Sequence, residues 1–275
     1  MNVENSENGG PGEYLSPQEK AAISANPFLF TLNSLLGIEK LRVASQVREK
    51  HLERQGRKDE NTVQIHERLV ALEEFVTDLL AGQVESHQAY PWFSRIKGVG
   101  RENIGKVLGF LDIQKAGHIS SFWKFAGYSV NSDNKAPRAV KGGGKLEYNK
   151  KLRVMCYRLG VSLLKAGGKF VTEVYQPEKE RLQRRFQEQG VKIVPASVLP
   201  QEKGKKYEPE GVISEGHVHM MAFRKMIKVF LACLWLTWRK AEGMPLSQPW
   251  VITHGGHDGF IDPWSLCDRP EKKSR

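Results

Sequence analysis

Two glycines separated by one residue, set between two apolar segments, constrain this chain more than any other feature. The stretch reads Ile-Lys-Gly-Val-Gly from Ile96 to Gly100, and apolar residues at helical spacing follow from Ile104 to Leu111. A glycine lets the backbone turn sharply because it has no Cβ. The pattern therefore predicts a helix–hairpin–helix, in which a tight turn joins two short helices.

The predicted hairpin is suited to binding an anion. The helix after the turn presents free N–H groups and the positive end of its dipole, and basic side chains surround it. The natural anion is a nucleic-acid phosphate, bound without regard to sequence. Two alternatives stay open, a plain helical connection and a dinucleotide-binding loop, although the latter needs a preceding strand and a glycine where Asn103 stands. The predicted phosphate-binding residues are Lys97, Gly98, Val99, Gly100, Arg101 and Lys106.

The charge distribution favours the same kind of partner. The chain of 275 residues has a formal net charge of +11, and ten lysines and arginines stand against one glutamate between residues 135 and 169. Such a basic segment is typical of a surface that binds DNA or RNA, and a solvated basic face or a lipid-binding surface is the alternative. No signal peptide, lipid anchor or bilayer-spanning apolar run is found. Three scattered cysteines without a disulfide framework favour a reducing, cytoplasmic location and no membrane partner.

Apolar periodicity predicts a mainly α fold with four parts. Residues 1–26 are polar and predicted to be disordered, and residues 27–89 form a helical arm. Residues 90–260 form a helical domain that contains the hairpin and an inserted loop at about 176–215, and residues 261–275 form a tail. Within the arm, apolar residues step by four and three, which predicts either a coiled coil that makes a homo-oligomer or a core-facing helix. These residues are Ile65, Leu69, Leu72, Val76 and Leu79.

Five motifs of the domain resemble a known family in their order and spacing. They are the hairpin at 96–100, Phe-Trp-Lys-Phe-Ala-Gly-Tyr at 122–128, a glycine-lysine loop at 141–145, Tyr-Asn-Lys-Lys-Leu-Arg at 148–153, and the late apolar helix around 225–235. Together they resemble the C-terminal domain of the insertion-sequence transposases of the Piv group, also called the IS one-ten, one-sixteen and nine-oh-two group.

The resemblance implies DNA transposition or site-specific recombination by a mobile element. Members of the family join an N-terminal RNase-H-like domain with four acidic residues to this C-terminal domain, which supplies a serine nucleophile. Serine attack on a phosphodiester would form a covalent DNA link and divide one exchange into two transfer steps. Some members are guided by a structured RNA, so the implied partners are DNA and a guide-type RNA.

The chain departs from the family pattern at two places. Its only aspartates before residue 90 are Asp59 and Asp78, so the acidic domain is missing or separate, and a divalent metal would come only through that domain. The family's serine position falls near Lys135, and the nearest serines, Ser129 and Ser132, are candidate nucleophiles or ordinary loop serines. The DNA contacts carried over from the family are Lys141, Lys145, Asn149, Lys150 and Arg153.

Two short histidine pairs form another candidate site. His217 and His219 are one residue apart, and His254 and His257 are two residues apart. Four imidazoles at such spacing could hold zinc or another divalent ion if the last helix folds back. The alternative is that they are helix-capping and loop histidines.

Three functions are consistent with these observations. They are a transposase-type recombinase, a non-catalytic DNA- or RNA-binding protein derived from one, and an unrelated helical protein whose basic face binds a protein partner. The hairpin and the basic segment favour the first two, and the family resemblance favours the first. Whether this chain alone is catalytic stays open.

Overall fold

The computed structural model describes residues 26–130, 137, 148–246 and 261–270, and these are mainly helical, which confirms the prediction of a mainly α fold. The chain divides into two compact units. The N-terminal unit holds the described residues up to Gln83 together with Leu108–Phe110. The main unit holds Val84–Val107 and the described residues from Leu111 onward. Residues 1–25, within the segment predicted to be disordered, lie outside the described residues.

Two long helices build the N-terminal unit, α1 (Pro27–Arg54) and α2 (Glu60–Glu85). The side chain of Asn26 caps α1 by accepting a hydrogen bond from the Leu29 N–H at 3.2 Å. The core of the unit is a small apolar cluster with charged pairs beside it, among them Arg42 with Glu73. The cluster consists of Leu35, Val76 and Leu80, with Phe28 and Ile38 packed against it.

The apolar seam of α2 is divided between the core and the surface. Val76 is buried, and its neighbour in the core is Leu80, one turn further on. By contrast, Ile65, Leu72 and Leu79 are exposed by 56%, 45% and 49%. The core-facing alternative therefore describes Val76, Leu69 is half-buried, and the three exposed residues keep the seven-residue spacing of a coiled-coil position.

The main unit is built around its last helix, which is buried along most of its length. The helices of the unit are α3 (Tyr90–Phe93), α4 (Arg101–Leu108), α5 (Ile119–Phe125), α6 (Lys150–Ala166), the π-helix Phe170–Tyr175, α7 (Gln176–Glu188) and α8 (Glu215–Ala241). The last helix, α8, packs against α5, α6, α7 and the π-helix, so it carries the core that sequence periodicity placed there.

The region predicted to be an inserted loop is instead folded against α8. Helix α7 buries Leu182, and its contacts are with α8 and the π-helix. Four short strands follow, of which the first and last form a parallel pair and the middle two form a small antiparallel hairpin. A 3-10 turn at Ala196–Val198 lies between the first and second strands. The strands are β1 (Lys192–Val194) paired with β4 (Val212–Ser214), and β2 (Gln201–Glu202) paired with β3 (Lys205–Lys206).

Residues 261–270 pack on the main unit, although the sequence predicted a tail from residue 261. Leu266 and Cys267 are buried, with 2% and 7% of their surface exposed. The indole N–H of Trp92 donates to the Pro263 carbonyl at 2.8 Å, and Arg95 lies over the ring of Trp264 at 5.3 Å. Two buried side chains and an indole hydrogen bond therefore fix this segment, and the prediction of a tail is wrong for residues 261–270.

Within the described ranges, the structure contains no helix that is both long and apolar enough to cross a membrane.

Candidate nucleic-acid interface

The two hairpin glycines have different surroundings. Gly98 has a φ of +85°, and a Cβ at this position would lie 2.7 Å from the Ser162 carbonyl oxygen and 2.8 Å from the Cα of Leu163. The turn therefore needs glycine here in order to approach the backbone of α6. A Cβ at Gly100 would meet nothing within 4 Å. Of the two, Gly100 is the glycine with room for a partner.

An anion is already bound by the backbone of the turn, and it belongs to the chain itself. The Asp268 carboxylate accepts the Lys97 N–H at 2.7 Å and the Lys169 N–H at 2.8 Å. The same segment is bound from its other side, since the N–H groups of Asp268 and Arg269 donate to the Arg95 carbonyl. One backbone N–H of the turn, that of Lys97, is therefore occupied by Asp268, and phosphate binding at the turn stays a prediction.

The basic side chains of the hairpin differ in how accessible they are. Lys97 and Arg101 are exposed, and Arg101 pairs with Glu85. Lys106 is only 2% exposed, and its ammonium donates to the Glu102 carboxylate at 2.7 Å. Because Lys106 is buried and ion-paired, we leave it out of the proposed contact surface.

The start of α6 presents a second group of predicted contacts. Asn149 caps the helix, because its side chain accepts the Leu152 N–H at 3.0 Å while its own N–H donates to the Phe125 carbonyl at 2.9 Å. Lys150 and Lys151 follow and are exposed. Asn149 therefore has a structural role, and the two lysines are the accessible charges. Lys141 and Lys145 lie outside the described residues.

Two guanidiniums, those of Arg153 and Arg224, line one cavity of the main unit. Arg153 lies over the ring of Tyr148 at 5.0 Å, and Arg224 lies over the ring of Tyr128 at 5.3 Å. Each donates one hydrogen bond to a carbonyl, Arg153 to Pro137 at 3.0 Å and Arg224 to Ser129 at 3.3 Å. Burial lowers the pKa of Arg224, and the nearby charge of Arg153 lowers it further.

Neither guanidinium is balanced by a carboxylate in the part of the chain that the structure describes. Lys228 adds a third cation on α8, where its ammonium lies 4.3 Å from the centre of the Trp123 ring. Burial lowers the pKa of Lys228, and the charges of Lys225 and Arg224 lower it as well. Half-buried cations that repel one another are a favourable place for an anion.

Gly127 explains how the Ala-Gly motif shapes this site. Its φ is +73°, and a Cβ would lie 2.9 Å from the ring of Tyr148 and 3.0 Å from the side chain of Arg153. Glycine therefore leaves room for the stacked Tyr148 and Arg153 and reverses the chain into Tyr128 and Ser129. The sequence identified Arg153 through the family resemblance but missed Arg224. The signal that could have identified Arg224 is that it is a basic residue within the most apolar helix.

Ser129 lies at the edge of this site. Its N–H donates to the Trp123 carbonyl at 3.0 Å, and its carbonyl accepts the Arg224 hydrogen bond. The backbone of Ser129 is therefore fixed beside a guanidinium. Ser132, the other candidate nucleophile, lies outside the described residues.

The first histidine pair is bound to protein groups. His217 Nδ1 lies 2.7 Å from Glu208 Oε2, and His219 Nδ1 lies 2.6 Å from the Tyr175 hydroxyl. Burial raises the pKa of Glu208, but hydrogen bonds from Ser214 and His217 outweigh it, and the pKa is lowered. His254 and His257 fall outside the described ranges. Among the residues described, no three metal-binding side chains come together.

No family model, no curated protein and no solved structure matches this chain. The transposase resemblance therefore rests on the motifs quoted from the sequence.

Proposed function

We propose that this chain binds DNA through the surface that carries Arg153 and Arg224, and that it acts as a transposase-like protein in DNA transposition or site-specific recombination. The observation that supports DNA binding most strongly is the pair of guanidiniums stacked on tyrosine rings, without a carboxylate partner in the described ranges. Stacked guanidiniums keep their N–H donors in a fixed plane, which suits the oxygens of a phosphate. Lys150 and Lys151 extend the positive charge along α6.

The salt dependence of DNA binding tests this proposal. Each neutralised phosphate contributes about 0.9 to the slope of log affinity against log salt. The double variant Arg153→Gln, Arg224→Gln should therefore reduce the steepness of the slope by roughly one if both arginines bind one phosphate, and by roughly two if each binds its own. A matched control, Arg48→Gln with Arg181→Gln, removes two arginines that are paired with Asp59 and Glu178. An unchanged slope in the first variant, or an equal loss in the control, contradicts the proposed surface.

The transposase proposal includes serine chemistry at Ser129, where Arg224 would stabilise the charge that develops on the phosphate. It rests on the family resemblance, and a divalent metal would enter only through a separate acidic domain. A covalent adduct of the chain with supercoiled DNA, absent in Ser129→Ala and retained in Ser120→Ala, is the expected result. An adduct that persists in Ser129→Ala excludes this serine.

A non-catalytic DNA- or RNA-binding protein is the second candidate. The observation that favours it is that the Ser129 hydrogen bonds in the described residues, with Trp123 and Arg224, are made by its backbone, and none of them activates its hydroxyl. Equal affinity for DNA and for structured RNA of the same length, with no adduct to either, would favour this candidate. If the chain is guided by an RNA, it should bind structured RNA tightly and still bind DNA.

We also propose that the chain self-associates through the exposed stripe of α2, defined by Ile65, Leu72, Phe75 and Leu79. These residues are 45–59% exposed and recur at the spacing by which two identical helices pair. Leu72→Lys should convert a dimer to a monomer in sedimentation experiments, whereas Gln64→Lys should not. A wild-type chain that stays monomeric at high concentration refutes the stripe as an interface.

A cytoplasmic location is part of the proposal. Cys156, Cys233 and Cys267 are free and buried, as expected of a protein from a reducing compartment.

A further inference from the structure

The cavity beside the two guanidiniums has an apolar wall formed by helices α6 and α8. Its volume is about 400 Å³, which is within the range of small-ligand sites. Tyr157 and Phe223 meet edge to face in this wall with their ring centres 5.2 Å apart, and Met220 lies beside them. Tyr157 is 46% exposed, so the phenol ring presents area that another flat ring can cover.

The same two helices also bring hydrogen-bond donors to the cavity, the guanidiniums of Arg153 on α6 and Arg224 on α8. A guanidinium has five N–H groups, and the described structure uses one hydrogen bond of each, to Pro137 and to Ser129. The contacts of Arg153 with the Tyr148 ring and of Arg224 with the Tyr128 ring help to hold both side chains in place before a ligand arrives. Their free donors suit a group with several negatively charged oxygens.

A histidine completes the lining. His217 is held through Nδ1 by Glu208, which in turn accepts the Ser214 hydroxyl at 2.6 Å. Because an ionised carboxylate only accepts hydrogen bonds, the proton of this contact lies on Nδ1 of His217. The cavity thus combines a ring-stacking surface, two guanidiniums that can bind a phosphate, and one imidazole.

We propose that this cavity binds one unpaired nucleotide of a nucleic-acid strand, with its base against Tyr157 and its phosphate between Arg153 and Arg224. The inference rests on the proposed function, since it assigns a particular part of the bound strand to the site. A strand is favoured over a free nucleotide because Lys150 and Lys151 continue the positive charge along the same helix, where neighbouring phosphates would lie.

A comparison of two duplexes tests the inference, one fully paired and one of equal length with a single unpaired thymidine. The full chain should bind the second about tenfold more tightly, because stacking of a base on an aromatic ring contributes that order of affinity. Tyr157→Ala should abolish this preference while leaving affinity for the paired duplex unchanged. Tyr207→Ala is the matched control, because Tyr207 is exposed to the same degree, 47%.

A second pair of variants tests whether Arg224 binds the phosphate. Arg224→Gln should weaken binding of the duplex with the unpaired thymidine by about tenfold, whereas Lys225→Gln, one residue further along α8, should have a much smaller effect. Circular dichroism of each variant must match that of the wild type.

The outcomes separate the inference from the proposed function. Absence of binding to any nucleic acid refutes both. Binding to both duplexes with equal affinity, or a preference that survives Tyr157→Ala, overturns the nucleotide cavity and leaves DNA binding in place. If thymidine monophosphate binds as tightly as the duplex with the unpaired thymidine, the cavity binds a free nucleotide and not a nucleotide of a strand.

Discussion

Replacing Gly98 with alanine tests how the hairpin is fixed on the main unit. The φ of +85° costs an L-residue about 1–2 kcal/mol. The added Cβ would lie 2.7 Å from the Ser162 carbonyl oxygen and 2.9 Å from the Ala166 Cβ, and overpacking of this kind costs about 1–3 kcal/mol. The lower entropy of the unfolded chain offsets about 0.4–1 kcal/mol. The main unit should therefore lose roughly 1–5 kcal/mol of unfolding free energy.

Urea unfolding followed by tryptophan fluorescence measures this loss in the main unit. The chain has six tryptophans, all between Trp92 and Trp264, so none lies in the N-terminal unit. Gly100→Ala is the matched control, because a Cβ there meets no atom within 4 Å and the φ is not in the left-handed region. The control should change stability by less than about 0.5 kcal/mol. If Gly98→Ala unfolds at the same urea concentration as wild type, the close approach to α6 is wrong.

Two further changes test the contacts around the hairpin. Asp268→Ala should cost about 2–4 kcal/mol, because the Lys97 and Lys169 N–H groups both lose a charged acceptor, and urea unfolding would measure it; a loss below about 0.5 kcal/mol contradicts this role. Burial lowers the pKa of His87 from 6.5 to about 4. As the pH falls, His87 is therefore protonated in the unfolded chain before it is protonated in the folded one. The unfolding free energy should fall by up to about 3 kcal/mol as the pH drops from 6.5 to 4. His87→Gln should remove this dependence, and a slope that persists in the variant assigns it to other groups.

Local signals in the sequence mark several of the helix ends. An asparagine precedes both α1 and α6, and in each case the structure shows its side chain accepting a backbone N–H of the first turn. Gly167 ends α6 in the left-handed conformation. These features depend on neighbours within four residues, so a single sequence contains all the information they need.

The exposed side of α2 could not be predicted in the same way. Ile65, Leu72 and Leu79 are as apolar as the buried Leu80, and only the position of α1 decides which of them is covered. The packing of residues 261–270 depends likewise on Trp92 and Asp268, whose partners are between 99 and 171 residues away along the chain. Periodicity carries no information about such pairings.

Only part of the candidate site could be predicted, for the same reason. Arg153 follows a recognisable motif, whereas Arg224 belongs to a helix whose pattern is that of a core. The two meet because Gly160 brings α6 close to α8, where a Cβ would lie 2.6 Å from the Phe223 ring. Conversely, Lys106 has the spacing of a phosphate contact, but the fold buries it beside Glu102.

Photochemical crosslinking tests the central claim most directly. Single-stranded DNA that contains 5-iodouracil, a base analogue that couples to nearby aromatic side chains, would be irradiated with the full chain, and the modified peptides would be identified by mass spectrometry. We expect the crosslink on Tyr157, and we expect it to be lost in Arg153→Gln, Arg224→Gln. Crosslinks confined to the N-terminal unit, or an unchanged crosslink in that variant, would contradict nucleic-acid binding at the two guanidiniums.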